Sequence, residues 1–417
     1  MSRANRSLRE PSSGHAQSSE HYSVWAELLL RNARQRKNSV NYPHRTIEGL
    51  QNLDCRIFYV VRGLLGGIER QLYYLLKTMD RERYRPAVAI WDSAAIDSDS
   101  YVPKLQGLDV PVFSLSRGAS KIAKMTELCR LLERLNPEVV HSHSFYTNFQ
   151  AWCGTLGRQC ITVGSVRTDF HHSKKGRGPC LGRLSARWPR DQIFNSFAAA
   201  EQARNDPTFF RPRQIFVIRN GIDFQHFTIT PPPNSHRAQI IGMGHLHPRK
   251  RWDRLLRAAR DLKENGLDFF VRVAGRGPLR DSLERQAQEF DLQNCVEFIG
   301  HTDSISEALA NANFLVHTSD FEGCPNVVME AMACGRAVVA TDAGDTADLI
   351  DDSKTGFIVP RGDDAALVER MKILITNRDL CQKMGELGRA KAESQFGLDR
   401  LVYETLAAYK AAGWQDH

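Results

Sequence analysis

The sequence predicts an α/β chain built as two open, doubly wound, mostly parallel sheets that face each other across a cleft. Three observations lead there. Strand-like and helix-like segments alternate from Cys55 to about Asn220, the stretch Thr230-Pro231-Pro232-Pro233-Asn234 interrupts them, and the alternation restarts at Gln239. Repeated β/α pairs place helices on both faces of a parallel sheet, whose strands then read as buried apolar runs. Three consecutive prolines cannot enter a central strand and form a stiff linker. A chain of 417 residues also exceeds what one ordinary core organises.

Residues 1–50 form an extension of different character. Met1–Ser23 is Ser- and Arg-rich and lacks the apolar content of a core, whereas Trp25, Leu28 and Leu29 share one helical face, followed by Arg34, Arg36 and Lys37. That helix suits either an interfacial docking role or packing on the parent protein. In the first domain, 51–230, strands are expected at Cys55–Val61, Pro86–Trp91, Val112–Leu115, Glu138–His141, Ile161–Val166, Gln192–Asn195 and Ile215–Ile218. In the second, 235–396, they are expected at Gln239–Met243, Asp268–Ala274, Cys295–Ile299, Phe314–Thr318, Ala337–Thr341 and Phe357–Val359. Residues 397–417 read as a final amphipathic helix and tail.

Composition narrows the class. Hydrophobic residues make up 42% and charged residues 25%, the balance of a soluble globular protein. No apolar run approaches the roughly 18 residues that span a bilayer. A net charge of +8 favours an anionic partner, and no nucleic-acid motif accompanies it. Between Arg158 and Arg219 twelve Lys/Arg face four acids, a surplus that suits either a solvated face or an anionic headgroup. Nine cysteines, without CxxC pairs or a secretory signal, fit a reducing cytoplasm.

The most informative stretch is Phe321–Gly335. It sets Glu322 in a Gly/Pro loop and Glu330 after seven intervening residues, inside an otherwise apolar run. A carboxylate among Val328, Met329, Ala331 and Met332 is costly unless something polar meets it, so the pair asks for a ligand rich in hydroxyls. Two glycine-rich strand-to-helix turns suit phosphates. Gly63–Gly67 opens the first domain, with Gly66 and Gly67 nearest the helix start, and Gly242–Arg251 carries His245, Arg249, Lys250 and Arg251 in the second. Gly275-Arg276 marks a further turn that lacks the acid of a dinucleotide site. His141 and His143 end one strand, without an evident third metal ligand, and are read as polar lining of the cleft. Asp97-Ser98-Asp99 is read as surface loop, not as a metal-binding triplet.

These residues, with Gly66–Arg70, Pro137–His143, Val217–Asp223, Gly275–Pro278 and Ala337–Asp342 in this order, resemble glycosyltransferase family 4 with its E-x7-E signature. The resemblance runs from about Arg56 to Tyr409. It implies a GT-B fold, with the C-terminal helix returning to the first domain, and a retaining, metal-independent transfer of a hexosyl or N-acetylhexosaminyl group. It implies that Glu322 contacts donor-sugar hydroxyls, that Glu330 holds the ribose, and that Gly323, Cys324, Pro325, Asn326, Val327, Gly275 and Arg276 line the donor site. Lys250 matches a diphosphate-binding lysine, assisted by Gly66, Gly67, His245 and Arg249. The arginine expected just after Gly244 is His245, for which Arg249 or Arg251 would compensate. Where many members place a histidine, this chain has Arg167, which with His143 and Asp169 belongs to the sugar or acceptor side; Asp345 stands in for a common glycine. No cofactor is expected beyond a nucleotide-sugar cosubstrate, UDP-linked in preference to GDP-linked. The acceptor would be a glycan or a polyprenyl- or lipid-linked sugar in surface polysaccharide or lipopolysaccharide synthesis, with an anionic membrane surface as a further partner and a location at its inner face. A soluble acceptor is the alternative within that chemistry, and a catalytically silent sugar-nucleotide-binding protein the alternative outside it.

Overall fold

The computed structural model describes residues 54–64, 66–92, 101–115, 119–302 and 304–416. The 1–50 extension with its amphipathic helix, and the Asp97-Ser98-Asp99 triplet, lie outside the described residues.

The first sheet holds β1 (Ile57–Val61), β2 (Pro86–Ile90), β3 (Val112–Ser114), β4 (Val139–Ser142), β5 (Ile161–Val166), β6 (Asp191–Phe194) and β7 (Gln214–Val217), in the order β3-β2-β1-β4-β5-β6-β7. The second holds β8 (Ala238–Met243), β9 (Phe269–Ala274), β10 (Val296–Gly300), β11 (Phe314–His317), β12 (Ala337–Thr341) and β13 (Gly356–Val359), in the order β10-β9-β8-β11-β12-β13. Neighbouring strands pair in parallel throughout. β1, β2 and β12 are buried along their whole length, as strands covered on both faces must be.

Each sheet reverses its strand order once, between β1 and β4 and between β8 and β11. Helices leave in opposite directions there, so a crevice opens at the carboxyl ends of the strands. The first reversal exposes the turn before helix Gly67–Thr78 and the residues after β4. The second exposes the turn 244–251 and the loop 318–325.

Two features tie the halves together. Helix Leu398–Ala411 returns to the first domain, where Leu401, Ala408, Tyr409 and Trp414 are buried among Ile57, Tyr59, Leu72 and Leu75. In the second domain Arg336, 1% exposed, has no carboxylate partner among the described residues. Its guanidinium donates instead to the carbonyls of Leu309 and Ala310, and to the carbonyl (2.9 Å) and hydroxyl (2.6 Å) of Thr230 at the start of the proline linker.

Candidate functional site

The loops at the second reversal are laced by main chain before any side chain acts. Asp320 N donates to Arg249 O at 2.9 Å and Thr318 Oγ1 to Lys250 O at 2.8 Å. This brings Lys250 Nζ to 2.5 Å from Glu322 Oε1, with His317 Nε2 3.3 Å from the same oxygen. Burial alone would push the Glu322 carboxyl up; Lys250 and His317 outweigh it and hold it well below the usual carboxylate range. Burial holds His317 below the ordinary imidazole range, partly offset by Glu322, so it stays neutral at physiological pH. The result is a fixed carboxylate beside a fixed ammonium, both side chains only 12–13% exposed.

Helix Asn326–Ala333 follows, with Pro325 as its N-cap residue and Gly335, at φ 69°, just past its end. Pro325 therefore stands one position before the first helical residue, at which a proline is common. Cys324 is buried, its thiol 3.3 Å from the Met329 sulfur and pushed up to about 12 by burial, so it is not a nucleophile. Val327 packs at the edge of the apolar cluster beneath the helix.

Asn326 joins the two domains. Its Nδ2 donates to Gly67 O at 3.2 Å, and its Oδ1 accepts from Asn220 Nδ2 at 2.7 Å and from Gln71 Nε2 at 3.3 Å. A Cβ on Gly67 would lie 2.6 Å from Asn326 Nδ2, so a larger residue there would push the Asn326 amide aside. A Cβ on Gly323 would lie 2.8 Å from Asn195 Oδ1 and 3.1 Å from Arg167 O, a similar crowding on the other side of Cys324.

Glu330 is 2% exposed, and Arg70 of the first-domain helix reaches across to pair with it. Burial pushes the Glu330 carboxyl up, and the guanidinium pulls it back. The polar group that the apolar surroundings of Glu330 demand is thus, in this state of the chain, an arginine 260 residues away in sequence.

The remaining candidates fall in distinct places. Gly66 is the N-cap residue and Gly67 the first residue of helix Gly67–Thr78, with Gly67 against Asn326. Partial burial first, then His247, Arg249, Arg276 and Lys250, hold His245 below the usual imidazole range, so it brings no positive charge at neutral pH. Arg251 is engaged by Asp253 (3.0 Å) and Asp320 (2.9 Å) and cannot compensate for it. Arg249 keeps an Nε without a hydrogen-bond partner. Gly275 lies against the Gly244 turn, and Arg276 O accepts from Leu246 N at 3.0 Å. Asp169 caps helix Phe170–Gly176, accepting from His172 N at 2.8 Å, and its other oxygen accepts from Gln202 Nε2 at 2.6 Å. His141 spends both ring nitrogens, on Tyr409 (2.7 Å) and Ser165 (2.8 Å), which leaves none for a metal. His143 and Arg167 meet at 3.1 Å.

The sequence reading assigned no role to Arg70, His317 or Asn220, although Arg70 lies three residues after the first glycine-rich turn and His317 is the polar end of an apolar strand. Asp345, which stands where the resemblance expects a glycine, has a role that the sequence does not show. In the structure it is fully buried and caps helix Phe197–Arg204 of the other domain, accepting from Ser196 Oγ (2.7 Å), Phe197 N (2.9 Å) and Ala198 N (3.0 Å).

Comparison with known proteins falls on the same two halves. Residues 65–226 match the family described as Glycosyltransferase Family 4, and residues 228–391 match Glycosyl transferases group 1. Among curated proteins, the putative colanic acid biosynthesis glycosyltransferase WcaL of Escherichia coli is 32% identical over 170 residues, 38% of this chain and 42% of that protein. The N-acetyl-alpha-D-glucosaminyl L-malate synthase of Bacillus anthracis is 28% identical over 301 residues, 68% of this chain and 78% of that protein. The chain spans about half the length of several such relatives. Among solved structures, Anabaena Alr3699/HepE in complex with UDP and glucose superposes with a TM-score of 0.72 at 18% identity, covering 86% of this chain and 100% of that one. The two family matches lie one on each Rossmann-like half of a shared two-domain fold, and they make the chain similar to family 4 and group 1 glycosyltransferases.

Proposed function

We propose that the chain is a retaining glycosyltransferase that moves a hexosyl or N-acetylhexosaminyl group from a nucleotide sugar, UDP-linked in preference to GDP-linked, to a glycan or lipid-linked acceptor. The observation that carries this reading is the Glu322–Lys250–His317 group at the second strand reversal, facing the Gly66-Gly67 turn of the other domain. Bond breaking at the anomeric carbon leaves negative charge on the β-phosphate. Lys250, Arg249, the amides at Gly66-Gly67 and the N-terminus of helix Asn326–Ala333 are the donors placed to take that charge. Glu322, ionised and pinned, would orient sugar hydroxyls and stabilise the oxocarbenium-like centre without forming a covalent bond. Glu330 would hold the ribose once Arg70 shares or yields it. No step asks for a metal, because side chains and helix ends neutralise the diphosphate. The relatives that act in polysaccharide synthesis support a surface glycan as the product.

For a lipid-linked acceptor the support is a basic, aromatic rim on the first domain. Phe209 is 64% exposed, with Arg187 4.2 Å over its ring and Arg183 5.7 Å over Phe210. No helix among the described residues is long and apolar enough to cross a membrane. Contact with an anionic inner-face surface would therefore be made from the side, and flotation with anionic liposomes at low and high salt tests it.

Nucleotide release should be followed against a panel of UDP- and GDP-sugars. Lys250→Ala and Glu322→Gln are each expected to lower turnover by about 100-fold or more, the usual loss for one transition-state donor. Unchanged turnover in both variants would remove the site assignment. Tight nucleotide-sugar binding by the natural chain without turnover on any acceptor would favour the silent binding protein.

A further inference from the structure

Four arginines among the described residues are less than a tenth exposed: Arg56, Arg167, Arg254 and Arg336. Three are satisfied. Arg56 donates to Glu138 at 2.6 Å, Arg254 to Asp364 at 3.0 Å, and Arg336 to the oxygens of the linker and of Leu309 and Ala310. Arg167 is 8% exposed and different. The one hydrogen bond its guanidinium makes among the described residues runs from a terminal nitrogen to His143 Nδ1 at 3.1 Å, and its Nε has no partner there. Burial pulls its guanidinium down to about 10, which still leaves it charged at neutral pH.

The residue it touches repeats the pattern. Because His143 Nδ1 accepts from Arg167, the ring proton sits on Nε2. That atom is buried near the Ile68 carbonyl and has no partner in hydrogen-bond geometry. Arg167 is also where the domains meet, since its carbonyl lies under Gly323, beside Glu322. Glu69 acts on Arg167 through its charge without pairing with it among the described residues; burial pushes that carboxyl up to about 7, so it balances the guanidinium only in part.

A buried guanidinium with neither a carboxylate nor carbonyl oxygens to meet it, beside a second donor without a well-aligned partner, has unmet donor capacity that an anion would fill. Both unused groups are donors, which excludes a cation and selects an acceptor-only group. On the second domain Lys250 is already matched by Glu322, and Arg251 by two aspartates. We propose that Arg167, backed by His143, is a receptor for an oxyanion of the donor substrate, either a carboxylate on the transferred sugar or the diphosphate itself. Arg167 is then a specificity-determining residue that supplies from the first domain a charge that His245 does not supply from the second. The proposal rests on the nucleotide-sugar reading above.

The test is calorimetric titration of the full chain with UDP, GDP, UDP-glucose and UDP-glucuronate, for the natural protein, Arg167→Gln and Arg167→Lys. Arg167→Gln is expected to lose at least tenfold in affinity, with Arg167→Lys recovering part of it. A loss confined to UDP-glucuronate assigns the carboxylate, and an equal loss for UDP and both UDP-sugars assigns the diphosphate. Without ligand, Arg167→Gln should melt at or above the temperature of the natural chain, since it removes an unmatched charge. A Gln variant that binds every ligand as tightly as the natural chain overturns the proposal, as does one that melts well below it without ligand. Failure of the natural chain to bind any of the four would instead strike the nucleotide-sugar reading, and the proposal with it.

Discussion

Glu330 and Arg70 show how a sequence can demand a polar partner without naming it. The apolar run around Glu330 says that the carboxylate must be met. Nothing local says that the partner lies in the first turn of the first domain, because that depends on how two separately encoded sheets face each other. Arg70→Ala would leave the charge buried and alone, and should cost about 3–5 kcal/mol in denaturant unfolding. A double Arg70→Met, Glu330→Met variant should recover much of that loss, because it removes both charges together. Glu322 and Lys250 are more legible: their loops follow adjacent strands, so spacing alone brings them to one end of one sheet.

Glu69 gives a residue-scale prediction with a sign. Burial raises its folded value from the ordinary 4.5 to about 7, partly opposed by Arg62 and Arg167. Between those values the folded chain holds a proton that the unfolded chain has released. Stability is therefore fullest below about pH 4.5 as far as this group is concerned, and falls as pH rises towards 7, by up to about 1.4 kcal/mol per pH unit. Above pH 7 this contribution is constant. Glu69→Gln should flatten that slope in unfolding titrations across the same window; an unaltered slope would show that the carboxyl is not buried in solution.

At the scale of elements, the strands were the most legible part. Apolar runs of four to six residues separated by glycine-bearing turns mark both sheets, and the C-terminal helix returns to the first as its amphipathic face requires. Boundaries moved by a residue or two, as at β7 and at Pro325, where caps decide the end and apolar periodicity does not. Arg336 was not legible at all. In sequence it is a charge before an apolar strand; in the fold it closes the carbonyls at a helix end onto the start of the proline linker. Arg336→Met should cost about 1–3 kcal/mol, the penalty of leaving buried carbonyls unmet. Proteolysis near residues 230–234 should quicken in that variant, which a purely apolar role for this side chain would not predict.

For the whole molecule, polar contacts across the cleft include Asn326 with Gly67, Asn220 and Gln71, the Arg70–Glu330 pair, and Arg219 with Asp348 at 3.5 Å. The exposed Asn326 contact exchanges readily for water or ligand, whereas the buried Arg70–Glu330 pair is costly to part unless another polar group meets Glu330. The Asp345 contact differs, because one domain completes a helix of the other. Ser196 serves Ala199 N at 3.1 Å, so Asp345 and Ser196 together satisfy the first three amides of helix Phe197–Arg204. Opening the cleft would uncap that helix, and closing it would restore the cap, worth about 1 kcal/mol in ordinary cases. The amide protons of Phe197 and Ala198 thus become a built-in clock. Their deuterium uptake should slow when a donor nucleotide holds the cleft shut and quicken in Asp345→Ala, while the Ala199 amide, guarded by Ser196 within its own domain, changes less. Opening kinetics would then be recorded by two hydrogens, in a chain that carries no added label.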